Sequence, residues 1–416
     1  MKSGKLLTIL NIFSSLTITQ AIVLGILAVL ILTGFICIAI PSKKKAGVTI
    51  FRIVVGITFI FSGFVKADDP LGFTYKLKEY FAKDALDFPS MDKFSFAIAF
   101  SVSIIEMTLG FMMLIGIWKR FTLTMVTLMM VFFTFLTWYT AHYNKVLECG
   151  CFGDAIPFTS WQSFWKNVVL MVFIIIIILG SKHVTPAFTK VAERVMVGIF
   201  LVGSTVFSWY CYSYLPVLDF RPYKVGTDIK KDMKGVPDVE KFYYTLKNKK
   251  TGEEKEFDKF PDNYQAEWDF KSSRTEVIKK GIEAKIKDFN ITSLDGNDVT
   301  DSVLSVPGNH FLLVCMSISE ANKDDKTISK INALVADCNK NHCGFICITA
   351  SGPDEISAYE KKYNTTYKFF TTDGTVLKTM IRSNPGLILI NSGVVKAMWH
   401  YHAIPTYAEV AESYFH

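Results

Sequence analysis

Two groups of residues in this 416-residue chain could do chemistry, and they lie far apart in sequence. The first is the pair in Glu148-Cys149-Gly150-Cys151-Phe152-Gly153-Asp154. Two cysteines one residue apart, with glycine supplying backbone freedom, can close a small strained disulfide. Strain makes such a bond easy to reduce and therefore oxidising. The same residues also allow a static bridge or turn, a metal site in which both thiolates join His142 or Asp154, or a pair of inert thiols. The second group is a lone acid, Glu106, about 12 residues into an apolar run and so about 18 Å deep. An acid at that depth is costly and marks a functional site by default. The alternative is a protonated or hydrogen-bonded carboxyl that locks helix packing.

These residues are positioned by membrane helices. Half the chain is hydrophobic, and the apolar residues are concentrated before about residue 218. A helix needs about 20 apolar residues to cross the hydrocarbon core. Six runs meet that length, over 19–40, 48–65, 94–117, 121–142, 163–181 and 195–213. Arg52 and Lys166 lie near span ends, where long side chains can snorkel. The net charge of +7 does not signal nucleic-acid binding. The basic residues form short clusters between apolar runs, or alternate with acids, and make no stripe that would track phosphates.

Orientation follows from where Lys and Arg collect. Lys43, Lys44, Lys45 and Arg52 form one cluster, Lys119 and Arg120 a second, Lys182, Lys190 and Arg194 a third. With six alternating helices all three fall on one side. The opposite loops are 66–93, with five Lys diluted over 28 residues and offset by six acids, and 143–162, with Lys145 alone. Density makes the three clusters cytoplasmic, and places the cysteine loop and the C-terminal half in the periplasm of an inner-membrane, multi-pass protein. Trp161, Trp165, Trp209 and Tyr210 suit an outer interfacial belt. No small-residue cleavage motif follows the first apolar run, and Phe35-Ile36 before Cys37 is too bulky for a lipoprotein site. The run therefore reads as an uncleaved helix, although the sequence does not fix whether 1–47 belongs to the native product.

A family resemblance enters on these motifs. Arg52 to Lys66, RIVVGITFIFSGFVK, followed by Asp69-Pro70-Leu71-Gly72-Phe73, resembles the first helix and loop of DoxX-like proteins. The Glu106-containing span EMTLGFMMLIG and the CGCFGD loop resemble the DoxX and methylamine-utilisation MauE families. The resemblance covers 48–181 and implies a four-helix core related to quinone-linked disulfide enzymes of the vitamin K epoxide reductase type. A quinone is the cofactor it would bring, and the sequence asks for no other. Those enzymes use two cysteine pairs. This half has one, since Cys37 and Cys211 stand alone in the first and last spans.

After residue 285 the apolar runs shorten to strand length. Ile286 to Thr300 reads as two strands about an Asp-Gly turn. A strand at Phe311–Met316, a helix over 326–341, a strand at Phe345–Thr349, a helix near 354–363 and a strand near 367–371 follow. A hairpin from Gly386–Ile390 to Val394–Tyr401 and a last helix complete a thioredoxin-like order. In that resemblance Ser383-Asn384-Pro385-Gly386-Leu387 opens the third core strand, and Pro385 is the cis-proline facing the binding site. Thioredoxins place Cys-x-x-Cys after the first core strand. Here the stretch is Ser317 to Lys326, SISEANKDDK, without a cysteine. With no thiolate there is no nucleophile. Cys315 and Cys347 fall inside strands as small buried hydrophobes, and Cys338 and Cys343 flank a helix-to-strand turn that a structural bridge could close.

The expected architecture is a polytopic all-α membrane bundle followed by a soluble α/β thioredoxin-like domain. It divides into an N-terminal helix and basic loop (1–47), a DoxX/MauE-like four-helix bundle (48–181), a last membrane helix (182–213), a membrane-proximal connector (214–285) and the thioredoxin-like domain (286–416). The expected function is periplasmic thiol–disulfide or electron-transfer chemistry at Cys149 and Cys151, with the soluble domain docking a protein partner. The alternatives are a non-enzymatic envelope assembly factor and metal handling at the CGC loop.

Overall fold

The computed structural model describes residues 18–144, 150–186, 188–279, 281 and 283–415. It forms two compact units, Met1–Phe220 and Arg221–His416.

The first unit is helical: α1 (Ile18–Ala39), α2 (Lys44–Asp68), α3 (Pro70–Phe81), α4 (Ser95–Ile115), α5 (Lys119–Tyr143), α6 (Ser160–Leu179) and α7 (Lys190–Ser213). Among the described residues, α2, α4, α5, α6 and α7 are long and apolar enough to cross a membrane. α1, over the first of the six expected runs, is a helix of 22 residues. The loop expected over 66–93 is different. α2 runs on to Asp68, and α3 occupies the loop's first half. The reason is local: Asp69 caps α3 by accepting from the Gly72 N–H at 2.9 Å, and Pro70 takes the first helical position, where its missing N–H costs nothing. Lys66 therefore belongs to a membrane helix and not to a loop.

α2 and α4 pack with their backbones almost touching. A Cβ on Gly63 would lie 2.6 Å from Met107 Cγ and 2.8 Å from the Ser103 carbonyl oxygen. One on Gly110 would lie 2.7 Å from the Gly56 carbonyl oxygen. In a membrane such small-residue seams supply close van der Waals contact where no hydrophobic force acts between helices. Beside this seam Phe51 stacks on Phe173 at 4.8 Å, and Val55, Ile117, Val126, Ile174 and Ile177 are fully enclosed. The far end of α2 is tied to the exit of α7: Asp68 Oδ1 accepts from the backbone N–H groups of Val217 and Leu218 at 2.9 and 3.2 Å.

The second unit carries two sheets. β1 (Val239–Asn248), β2 (Glu254–Phe257) and β3 (Trp268–Lys279) form an antiparallel sheet in the order β2-β1-β3. The rest runs β4 (Asn309–Cys315), α8 (Asp325–Lys340), β5 (Gly344–Thr349), α9 (Pro353–Tyr363), β6 (Lys368–Thr371), α10 (Gly374–Met380), β7 (Gly386–Asn391), β8 (Val394–His400) and α11 (Tyr407–Tyr414). The sheet order is β6-β5-β4-β7-β8, with β4, β5 and β6 parallel and β7 and β8 antiparallel. This is a thioredoxin-like α/β domain. β4 is buried from His310 to Cys315, as a central strand covered on both faces must be. Residues 226–227 extend the sheet beyond β8 through Gly226 N–H to Val395 O at 2.8 Å and Val395 N–H to Thr227 O at 2.9 Å.

The two strands expected over 286–300 reduce to isolated bridges, Thr292 to Asp298 and Thr292 to Thr371, and then a helical turn over Thr300–Leu304. Asp298 Oδ1 accepts from both the N–H and the hydroxyl of Thr300, at 2.9 and 2.6 Å. Such local side-chain bonds compete with a strand ladder and end it.

Candidate functional site

Glu106 sits on α4 and Lys66 on the last turn of α2, and the glycine seam brings the two helices close enough for them to meet. Lys66 Nζ donates to Glu106 Oε2 at 2.7 Å, and only 3% and 4% of the two side chains are exposed. Lys66 Nζ also donates to Ser62 Oγ at 2.7 Å, one turn earlier on its own helix, and lies 5.5 and 5.6 Å from the ring centroids of Phe73 and Phe133. A charge in this setting persists only when paired and hydrogen-bonded. A cavity of about 20 Å³ opens beside the pair, lined by Ser62, Met130, Lys166 and Asn167 among others. That is room for about one water.

The cysteine loop comes down on the same end of α2. Its described part, Gly150–Ala155, is a distorted turn in which Gly153 has φ +50° and lies over Val65, whose Cγ1 would be 3.0 Å from a Cβ there. Phe152 is buried and packs edge-on against Phe61 at 5.3 Å. Phe61 and Val65 lie one turn apart on α2, so the turn after Cys151 is seated on the helix that carries Lys66. Lys166 of α6 joins the two features: its Nζ is 4.2 Å from the Phe152 ring centroid, and the residue also lines the cavity. Next to it, Asn167 is buried and donates to Thr137 Oγ1 at 3.3 Å.

The remaining loop residues are placed as follows. Cys149 lies outside the described residues, and so does the side chain of Cys151. His142 is exposed on the last turn of α5 and stacks on Trp138 at 5.4 Å. Asp154 is exposed on the turn.

In the soluble unit the peptide between Asn384 and Pro385 is cis. Around it the polar groups are closed on one another. Asn384 O accepts from the Asn322 N–H at 2.8 Å, its Oδ1 accepts from the Met316 N–H at 3.0 Å, and its Nδ2 donates to Ser317 O at 3.1 Å. The stretch that replaces Cys-x-x-Cys is thus pinned to the proline loop by backbone and amide bonds, with a Ser317–Ser319 hydroxyl contact at 2.8 Å. Burial disfavours the thiolate of both strand cysteines: it pushes the Cys315 thiol up to about 12 and raises the Cys347 thiol well above its ordinary value. Cys338 is buried and Cys343 half-buried, and their thiols hydrogen-bond, which raises Cys338 and lowers Cys343.

The loop bounds read from the sequence, 66–93, leave Lys66 outside the membrane helix that carries it, whereas Lys166 lies near the start of α6, the span end where the sequence puts it, and reaches the loop's Phe152. The signal for Lys66 was present in Asp69-Pro70, a cap followed by an N-terminal proline, which ends one helix after Asp68 and starts the next. No sequence signal pointed to Lys166.

Residues 44–180, covering α2 to α6, match the family profile described as methylamine utilisation protein MauE. A solution structure from Bacteroides thetaiotaomicron, provisionally assigned as a protein disulfide isomerase, is similar at 21% identity and a TM-score of 0.25, over 30% of this chain and 82% of that one. No curated protein matches the chain.

Proposed function

We propose that this is a multi-pass inner-membrane component of thiol–disulfide chemistry, with Cys149 and Cys151 as the redox pair on the periplasmic face. The observation that carries the reading is the seat of the loop. The turn that follows Cys151 packs on α2 beside Lys166 and above the buried Lys66–Glu106 pair. Lys166 lies against Phe152, the residue after Cys151, and a cation that reached the loop thiols would favour the thiolate, which is the attacking species. The exchange balances without a further reagent. A thiolate of a partner dithiol attacks the Cys149–Cys151 disulfide and releases one loop sulfur as thiolate. The partner's second thiolate then displaces the other loop sulfur. The loop ends as a dithiol, the partner as a disulfide, and the partner's two protons end on the loop. Glu106 and Lys66 are proposed to position that end of α2.

The MauE match supports a membrane core of this family over α2 to α6, and kinship with DoxX-like proteins is part of the proposal. The thioredoxin-like domain is proposed as a non-catalytic docking module for a protein partner, with Pro385 on its binding face. The bonds already made by Asn384 support a rigid surface rather than a groove open to strand addition. The metal and assembly-factor readings become outcomes of the same test.

The test is the redox state of the Cys149–Cys151 peptide in growing cells, read by differential alkylation and mass spectrometry, together with Cys149→Ser and Cys151→Ser. A mixture that moves with added reductant, and a mixed disulfide trapped by one of the serine variants, is the expected result. A pair that stays fully oxidised, with wild-type function in both variants, leaves a structural bridge. Copper or zinc in purified protein that both variants lose makes the loop a metal site.

A further inference from the structure

At the other end of the bundle, between the start of α5 and the end of α6, lies a groove of about 700 Å³. Its mouth carries three cations, Lys119, Arg120 and Lys182, all exposed. Lys119 Nζ donates to Ser181 O at 3.3 Å, which ties the two helix ends together at the rim. Below the mouth no further charge lines the groove: Leu123, Leu128 and Ile178 form its apolar wall, with Thr124 and Thr127 between the two leucines. Leu128 is eight residues past Arg120, and so about 12 Å deeper along the helix. Trp118 and Phe121 beside the mouth are 47% and 51% exposed, as interfacial anchors are.

We propose that this groove binds an anionic phospholipid, with its phosphate among Lys119, Arg120 and Lys182 and an acyl chain along Leu123, Leu128 and Ile178. The argument is complementarity over the whole length of the groove. A free anion would use only the charged mouth and leave the apolar wall unmatched. A zwitterionic lipid would match the wall and bring no net charge to the three cations. A basic pocket between membrane helices that continues into a hydrocarbon-facing wall matches an anionic headgroup and its chain together. The site is independent of the chemistry proposed for the cysteine loop, because it lies at the opposite end of α5 and α6 and uses none of the same residues.

The experiment uses the full chain in detergent, titrated with phosphatidylglycerol or phosphatidylcholine and read by native mass spectrometry. The expected result is at least about fivefold stronger retention of phosphatidylglycerol. Lys119→Gln/Arg120→Gln/Lys182→Gln should remove the preference, whereas Lys43→Gln/Lys44→Gln/Lys45→Gln, in the basic turn at the start of α2, should keep it. Leu128→Trp, which fills the apolar wall without touching a charge, should weaken retention of both lipids. Equal loss in the two glutamine triples would show that charge anywhere on the surface suffices, and would overturn the proposal. So would full displacement by millimolar inorganic phosphate, which would make the mouth a free-anion site. Thermal unfolding of each variant separates loss of binding from loss of fold. If the first triple fails to fold, retention in Leu128→Trp equal to wild type is the result that rejects the groove.

Discussion

Lys66 Nζ and Glu106 Oε2 are 2.7 Å apart across the glycine seam between α2 and α4, 40 residues apart in sequence and almost wholly enclosed. Such a pair is weak evidence for net stability, because taking two charges out of water costs about as much as their attraction returns. Its asymmetry matters more: removing one partner strands the other charge in an apolar interior.

Glu106→Gln and Lys66→Met are therefore each expected to destabilise the bundle by about 3–5 kcal/mol, and Lys66→Met/Glu106→Gln by clearly less than their sum. Detergent-solubilised protein followed by thermal unfolding and membrane protein level checks this. Single variants as stable as wild type would mean that the two groups are not buried together.

The glycine seam makes a second prediction. Gly63→Ala puts a methyl 2.6–2.8 Å from Met107 and the Ser103 carbonyl, contacts that only a shift of α2 from α4 can relieve. It should lower stability by about 1–3 kcal/mol, as overpacking does. Gly198→Ala on α7, where nothing lies within 4 Å, should be neutral or stabilising through helix propensity. A reversed order in a melting experiment would place the seam elsewhere.

Acid should loosen the soluble unit in a defined window. His400 is 4% exposed, and burial, with a smaller contribution from His402, holds its pKa at about 4 against an ordinary 6.5. The unfolded chain takes up this proton below about pH 6.5, whereas the folded one resists until about 4. Stability must therefore fall as pH drops from about 6.5 to about 4, by at most about 3 kcal/mol from this residue. Burial lowers His310 as well, which adds in the same direction. Depressed carboxylates such as Asp373 and Asp324 add their losses only below about pH 4. Urea midpoints of an Arg221–His416 fragment against pH test this, and His400→Gln should flatten part of the slope. A midpoint constant between pH 6.5 and 4.5 would contradict it.

The same fragment should fail to reduce insulin, because residues 317–326 hold no cysteine and the strand thiols are buried. Turnover that survives Cys338→Ser/Cys343→Ser would locate a dithiol site where none is expected.

Alkaline phosphatase fused after His416 should be active, and fused after Lys119 inactive. Moving Lys66 into α2 leaves four lysines in the opposing loop and so sharpens the charge contrast behind this orientation. The converse pattern of activity would invert the topology.

The sequence by itself determined the long apolar helices and the soluble α/β domain after them, because length and apolarity decide membrane spanning and because strand and helix periods are local properties. It also determined that residues 317–326, directly after β4, hold no cysteine, which is read off the residues themselves. Only the tertiary structure decided what Glu106 touches. Its partner is 40 residues away on another helix, and nothing in the spacing of either run marks the pairing, which depends on how closely Gly56, Gly63 and Gly110 let two backbones approach. Nor could periodicity show that Lys166 and Phe152 meet, or that Asn384 spends its polar groups on Asn322, Met316 and Ser317. Those contacts join segments that are distant in the chain, and a side chain's nearest neighbour across such a gap is fixed by packing rather than by pattern.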